Sequence, residues 1–281
     1  MTFAQQQRSA QQQELSPGSE SEKIGQPKAD DLKAQGSGKL CNKVALITGG
    51  DSSIGRAVAI AFAKEGADVA IVYRNESQEA KTTKQMVEQQ GRSCLAISGD
   101  VGDEEFCQQA VQQTIDQLGK LDVLVNNAVE QDSSEDVKDI STQQLESNLQ
   151  TNLCPMFYMT NAALPYLCEG STIINTTSVT VGKGNEQLPD SSANRGAIMT
   201  FTRSLSQSLE DKGIRVNGVA PGPVWTLLVP STATAEKVEE FGKQVPTGDN
   251  LPEEIAPSFV FLASDEASYM AGQIVFTRSM F

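Results

Sequence analysis

The fifteen residues Lys43 to Ala57, KVALITGGDSSIGRA, constrain this chain more than any other stretch, because an apolar run passes through a glycine-rich turn straight into a helix start. Val44, Ala45, Leu46 and Ile47 suit a central parallel strand covered on both faces. Gly49 and Gly50 let the backbone turn sharply, and Gly55 lets the new helix pack closely on its strand. The helix N-terminus so made presents free N–H groups and the positive end of the helix dipole, which together form a seat for phosphate. Such a turn also occurs as a purely structural device, so its meaning depends on the rest of the chain.

From Lys43 onward apolar runs alternate with longer helical segments, as successive βαβ units require. The pattern predicts strands at Val44–Ile47, Val69–Tyr73, Cys94–Ser98, Leu121–Val125, Thr172–Asn175, Val216–Ala220 and Gln273–Phe276. Helices are expected at Gly55–Lys64, in a stretch ending at Gln90, at Glu104–Leu118, as one long segment over Thr142–Leu167, at Ser191–Asp211 and at Pro252–Ala263. Loops are expected over Ser178–Leu188 and Val224–Asn250. The fold expected is therefore α/β: a doubly wound, Rossmann-type parallel sheet of seven strands in one domain, residues 41–281, with ligands at the carboxyl ends of the strands. The glycine turn, Arg74, Asp100, Asn126, Ser178 and Pro221 all fall at such ends and should line one crevice. Residues Met1 to Leu40 are rich in Gln, Ser, Gly, Lys and Glu and lack apolar periodicity, so they read as a polar extension, disordered or lying on a neighbour's surface.

Composition removes several classes of function. A net charge of −14 argues against nucleic acid or an anionic membrane as partner. No run of about eighteen apolar residues and no basic-then-apolar N-terminal pattern is present, so a soluble, cytoplasmic protein acting on a small molecule is expected. The five cysteines are scattered without CxxC spacing, which suggests packing residues and neither a disulfide framework nor a metal site. There is no histidine, and that removes Ser-His-Asp and Cys-His nucleophile chemistry together with histidine metal sites.

With these residues in place the chain resembles the short-chain dehydrogenase/reductase family over roughly Leu40 to Gln273. TGGDSSIG (Thr48–Gly55) is similar to that family's cofactor turn TGxxxGxG, with Ser53 at the middle glycine. Asp100-Val101 resembles the pair beside the adenine, and Asn126-Asn127-Ala128 resembles the NNAG motif, with Val129 in place of glycine. Asn152 matches the helix asparagine of the active site, Ser178 the catalytic serine, and PGPVWT (Pro221–Thr226) the loop over the nicotinamide. The polar N-terminal extension and the wording GGDSSIGRAVAIAFAKEGADVAIVY resemble the stress-type bacterial and fungal subgroup. The resemblance implies a nicotinamide cofactor held by Gly49, Ser52, Ser53, Ile54, Gly55, Arg74, Asn75, Asp100, Val101, Asn126, Ala128, Pro221, Gly222, Val224 and Thr226, and a catalytic group drawn from Asn152, Ser178, Ser191 and Arg195. Arg74 and Asn75 follow the second strand, where an arginine suits the 2′-phosphate of NADP, so NADP(H) is preferred over NAD(H). The resemblance also implies a homo-oligomer, dimer or tetramer, assembled through two long helices, one of which carries Met156, Phe157, Tyr158 and Met159.

The central motif departs from the family. Its YxxxK pair belongs thirteen residues after the serine, and there the chain reads Ser191-Ser192-Ala193-Asn194-Arg195, with serine for tyrosine and arginine for lysine. Carbonyl reduction needs a proton for the developing alkoxide. A phenol with a pKa of about 10 can be tuned toward neutrality by a neighbouring ammonium, whereas an aliphatic hydroxyl is a far poorer acid. Ser191 is also shorter by a whole ring, which should leave a cavity. Arg195 stays cationic and could hold the cofactor ribose or clamp a carboxylate with its fork. Among other charged residues, Arg56 reads as an exposed first-turn helix residue, Asp190 as a helix cap and Glu130 as a solvated loop residue. Three functions fit these residues. One is an NADP(H) enzyme with a non-standard centre, reducing an imine or iminium carbon or guiding a cyclisation or isomerisation. The second is a pseudoenzyme kept for binding or assembly, and the third is a carbonyl reductase using Ser178 and a water.

Overall fold

The first strand of the computed structural model, β1 (Val44–Thr48), is buried along its whole length because it lies mid-sheet with helices on both faces. The structure describes residues 36–129, 137–184, 189–222, 224 and 251–277. In chain order the elements are β1, α1 (Ser53–Lys64), β2 (Asp68–Tyr73), α2 (Ser77–Gln89), β3 (Cys94–Ser98), α3 (Glu104–Leu118), β4 (Val123–Asn126), α4 (Thr142–Asn152), α5 (Cys154–Ala163), β5 (Thr172–Thr176), the short α6 (Thr180–Lys183), α7 (Pro189–Leu209), β6 (Arg215–Ala220), α8 (Ala256–Ala263) and β7 (Ile274–Phe276). The seven strands are all parallel and run β3-β2-β1-β4-β5-β6-β7, so the order reverses between β1 and β4. A crevice opens at that reversal, outside the carboxyl ends of the strands.

Two cores sandwich the sheet. Ala45 and Ile47 point to one face with Phe62, Phe259 and Leu262, while Leu46 points to the other with Leu124, Met159 and Ile173. That alternation is the period of a strand, and burial on both faces explains why the sequence shows an unbroken apolar run instead of alternation. Cys94 and Cys107 fill these layers, and burial pushes both thiols up to about 12, so they stay protonated packing groups. All five cysteines are free.

Most boundaries shift by a few residues, and two differences bear on the packing. The long helix expected over Thr142–Leu167 is broken at Leu153 into α4 and α5. Pro155 sits in the first turn of α5, where its missing N–H and its ring forbid continuation of α4. The packed domain also begins before residue 41. Leu40 is fully buried in the first core, its N–H donates to the Glu65 carbonyl, and the N–H groups of Ser37 and Lys39 donate to the Glu65 carboxylate at 2.9 and 3.0 Å. Burial raises the Glu65 pKa, but those N–H bonds outweigh it and hold the carboxyl below its usual range. The expected loop after Ser178 contains the single turn α6, and residues 1–35 and 225–250 lie outside the described residues. No helix among the described residues is long and apolar enough to cross a membrane.

Candidate active site and nucleotide crevice

The turn between β1 and α1 keeps the shape of a phosphate cradle despite its serine. Gly49 has φ of 65°, and a Cβ there would stand 3.0 Å from the Ala128 Cα, so the turn and the end of β4 press together. A Cβ on Gly55 would collide with the Gly49 carbonyl oxygen, which makes that glycine obligatory for closing the turn. Ser53 has φ of 51° and occupies the left-handed region a glycine would take at no cost. Ser53→Gly is therefore expected to raise stability by about 1 kcal/mol, read as an upward shift of the denaturation midpoint at unchanged slope. A lowered midpoint would mean that the serine hydroxyl's own contacts outweigh the strain.

Asn127 staples this turn from β4. Its side-chain amide donates to the carbonyls of Thr48 (3.1 Å) and Gly49 (3.3 Å), and the Thr48 hydroxyl accepts from the N–H groups of Asn127 and Ala128 at 2.9 and 3.0 Å. Asn126, expected at the cofactor, turns its buried side chain away into the sheet and donates to Asn175 at 2.9 Å. Asn175 in turn donates to the Thr202 hydroxyl of α7 at 3.0 Å, so Asn126 ties β4 to β5 and Asn175 ties β5 to α7.

Arg56 is not the exposed residue the sequence suggested. Only 6% exposed, it donates to the Glu79 carboxylate at 2.6 Å and to the Thr83 hydroxyl at 2.9 Å, and also to the Asp51 carbonyl. Its guanidinium joins α1 and α2 behind the glycine turn. The Asp51 side chain is pushed up to about 6, chiefly by burial, which outweighs its own backbone N–H and Arg56, with Glu76 and Glu79 adding to the rise. The folded protein thus holds this proton more tightly than the unfolded chain does. Stability falls as pH rises from about 4 through about 6 and stays lower above it. Asp51→Asn is expected to stabilise the protein by on the order of 2 kcal/mol at pH 8 and by almost nothing at pH 4, a contrast that melting curves at the two pH values will show.

At the end of β2, Arg74 pairs with Asp100 at the end of β3 (2.9 Å), with both side chains about half exposed. Water screens such a pair, so it contributes little to stability and serves mainly to hold the guanidinium over the strand ends. The other Asp100 oxygen accepts from the Gly102 N–H at 2.8 Å. Asn75 is exposed beside Arg74, its carbonyl accepting from Ser77, and the Val101 carbonyl accepts from the Cys107 thiol. Ser52 begins α1 in an extended conformation, and Ile54 packs against the first core.

On the other side of the crevice, α7 carries two side-chain ladders, each one helical turn long. Asp190 and Asn194 face α4; Ser191 and Arg195 lie one position on, and Arg195 reaches the end of β5. In the first ladder the Asn148 carbonyl oxygen of the side chain accepts from Asn152 (2.8 Å) and Asn194 (2.5 Å), and its amide donates to the Asp190 carboxylate (3.0 Å). Asp190 also accepts from the Ser191 N–H at 2.8 Å and from Gln144 at 3.5 Å. Asp190 is thus more than a cap: it is 5% exposed and anchors a buried amide network that holds Asn152. In the second ladder Arg195 is 8% exposed and donates to the Thr176 carbonyl at 3.4 Å, while its own backbone carbonyl accepts from the Thr177 hydroxyl at 2.9 Å. Burial pushes its guanidinium down to about 10. The Ser178 hydroxyl accepts from the Thr180 N–H at 3.3 Å, and the Pro221 carbonyl accepts from the Val179 N–H at 3.0 Å, which joins the serine to the following loop. Gly222 is tied to Thr277 (3.4 Å) and Val224 is buried in the first core. Thr226 and Glu130 lie outside the described residues. Sequence reasoning passed over Asn148, Asn194, Glu79 and Thr83, whose roles arise only where α4 meets α7 and α1 meets α2. The i, i+4 spacing of Asp190 and Asn194, and of Asn148 and Asn152, was the available signal.

A doubly wound sheet with a glycine turn at its switch point defines a dinucleotide-type fold. The family model described as enoyl-(acyl carrier protein) reductase matches residues 49–277, and the chain belongs to the short-chain dehydrogenase/reductase family. It is 53% identical to general stress protein 39 of Bacillus subtilis (strain 168), over 94% of this chain and 93% of that one. It is 45% identical to the chloroplastic NADPH-dependent aldehyde reductase 1 of Arabidopsis thaliana, over 94% of this chain and 95% of that one. A short-chain dehydrogenase from Burkholderia cenocepacia J2315 in complex with NADP superposes with a TM-score of 0.78 at 28% identity, covering 85% of this chain and 97% of its own. Its relatives place the chain among oxidoreductases.

Proposed function

We propose that this chain is an NADP(H)-dependent oxidoreductase of the stress-type subgroup whose centre, with Ser191 and Arg195 in place of tyrosine and lysine, reduces an imine or iminium carbon of a small organic molecule. The observation that carries this reading is the combination of a closed nucleotide turn with an aliphatic hydroxyl, buried at 8% exposure, at the proton-donating position. The residues fit a dinucleotide: a Cβ would fill the cradle at Gly49 and Gly55, and α1 offers its N-terminus there. The backbone of Gly49, Ser52, Ser53, Ile54 and Gly55 would hold the pyrophosphate, Asp100 and Val101 the adenine side, and Pro221, Gly222 and Val224 the nicotinamide side. Arg74 and Asn75 would take the 2′-phosphate, which agrees with the NADP and NADPH in the names of two similar proteins.

A nicotinamide held by those residues would supply a hydride to an iminium carbon, whose C=N π pair would return to nitrogen as a neutral amine. No alkoxide forms, so the missing phenol costs little. Asn152, held by Asn148, and Ser178, held by Thr180, orient the substrate, and the buried side of α7 excludes water. The pair Phe157 and Phe201, with ring centroids 4.1 Å apart and Phe157 44% exposed, offers α5 and α7 as the face on which a second copy would assemble.

Titration of the purified protein with NADPH and with NADH is the test. Micromolar NADPH binding, at least about tenfold tighter than NADH, is expected. Absence of binding by either at millimolar concentration overturns the reading in favour of a protein that keeps the fold for assembly alone.

A further inference from the structure

Arg195 is buried at 8% exposure, yet no carboxylate lies within ion-pair distance of it among the described residues. Among the described residues its side chain makes one long hydrogen bond, from Nη1 to the Thr176 carbonyl at 3.4 Å. The other buried arginine, Arg56, shows how this fold treats an interior guanidinium when the charge is structural: Glu79 sits 2.6 Å away and two further acceptors complete the shell. Burying a cation without an anion costs several kcal/mol. Burial pushes the Arg195 guanidinium down, and no charge among the described residues pulls it back up. A protein with net charge −14 has carboxylates in excess, and none of those among the described residues is placed here.

We infer that Arg195 is a substrate-binding residue and that the small molecule taken at this crevice carries a carboxylate, seated on the guanidinium edge that Thr176 leaves open. Arginine suits this task where lysine would not, since its planar fork matches the two oxygens of a carboxylate. One cation balances one carboxylate, whereas a phosphate dianion would leave a net buried charge. Ser191, one turn before Arg195 on the same helix, is shorter by a whole ring than a tyrosine would be. The inference rests on the reading of this crevice as a substrate site. Combined with that reading, it narrows the substrate class to imino acids, in which a C=N carbon and a carboxylate share one small molecule.

The test compares two stable probes of equal shape and different charge, cyclopentanecarboxylate and cyclopentanecarboxamide, by calorimetry on the full chain with and without NADPH. The carboxylate should bind at least tenfold more tightly than the amide. Arg195→Met should abolish that preference, lowering carboxylate affinity at least tenfold more than amide affinity, and Arg195→Lys should restore it only in part. Equal affinity of the two probes for the native protein, which needs no variant and so is immune to misfolding, overturns the inference, as does a preference that survives Arg195→Met. NADPH binding measured in the same cell keeps the two readings apart. NADPH binding without a carboxylate preference removes this inference alone, and a carboxylate preference without NADPH binding removes only the oxidoreductase.

Discussion

Arg56→Met is expected to lower folding stability by about 3–5 kcal/mol, because it leaves the Glu79 carboxylate, 7% exposed, without its cation. For a domain of this size such a loss corresponds to a fall of roughly 6–20 °C in the melting midpoint. The same change also removes donors from the Thr83 hydroxyl and the Asp51 carbonyl, so the glycine turn should loosen and nucleotide affinity should fall with it. The double variant Arg56→Met/Glu79→Leu should recover most of the loss, since an apolar pair of similar volume often replaces a buried ion pair without penalty. A single-variant loss below about 1 kcal/mol would show that water reaches Glu79 and that the pair behaves as a surface bridge.

The second large effect concerns chemistry. On the proposed reading of the centre, Ser191→Tyr/Arg195→Lys should create NADPH-dependent reduction of simple aldehydes, at least about a hundredfold above the native protein, because a positioned general acid is worth that much or more. Ser191→Tyr alone should gain less, since the ammonium that tunes the phenol would be absent. Aldehyde reduction by the native protein at the rate of the double variant would instead mean that Ser178 and a water already supply the proton. Arg195→Lys is not conservative here, because it exchanges a fork for a point charge.

Much of the architecture was legible in the sequence. The strand span at Cys94–Ser98 and the helix at Glu104–Leu118 agree with the observed elements to the residue, since Asp103 accepts from the N–H groups of Glu105 and Phe106 and Gly119 closes the helix at φ of 89°. Short apolar runs marked the parallel strands because both faces are covered. The break at Leu153 was less visible, because the helical periodicity continues through it and only Pro155 announces the stop. The start of the domain was misplaced because Leu40 stands alone among polar neighbours, and a single apolar residue carries no period.

Local pattern and residue identity were enough for the doubly wound fold and the glycine turn at the switch of strand order. Which charges are compensated emerged only in three dimensions. Arg56 looked exposed and is buried against Glu79, from the next helix; Asp190 looked like a cap and anchors Asn148, Asn152 and Asn194; Arg195 is buried and no carboxylate among the described residues reaches it. The balance of a buried charge depends on what other segments bring within a few ångströms of it, and one-dimensional spacing does not contain that distance.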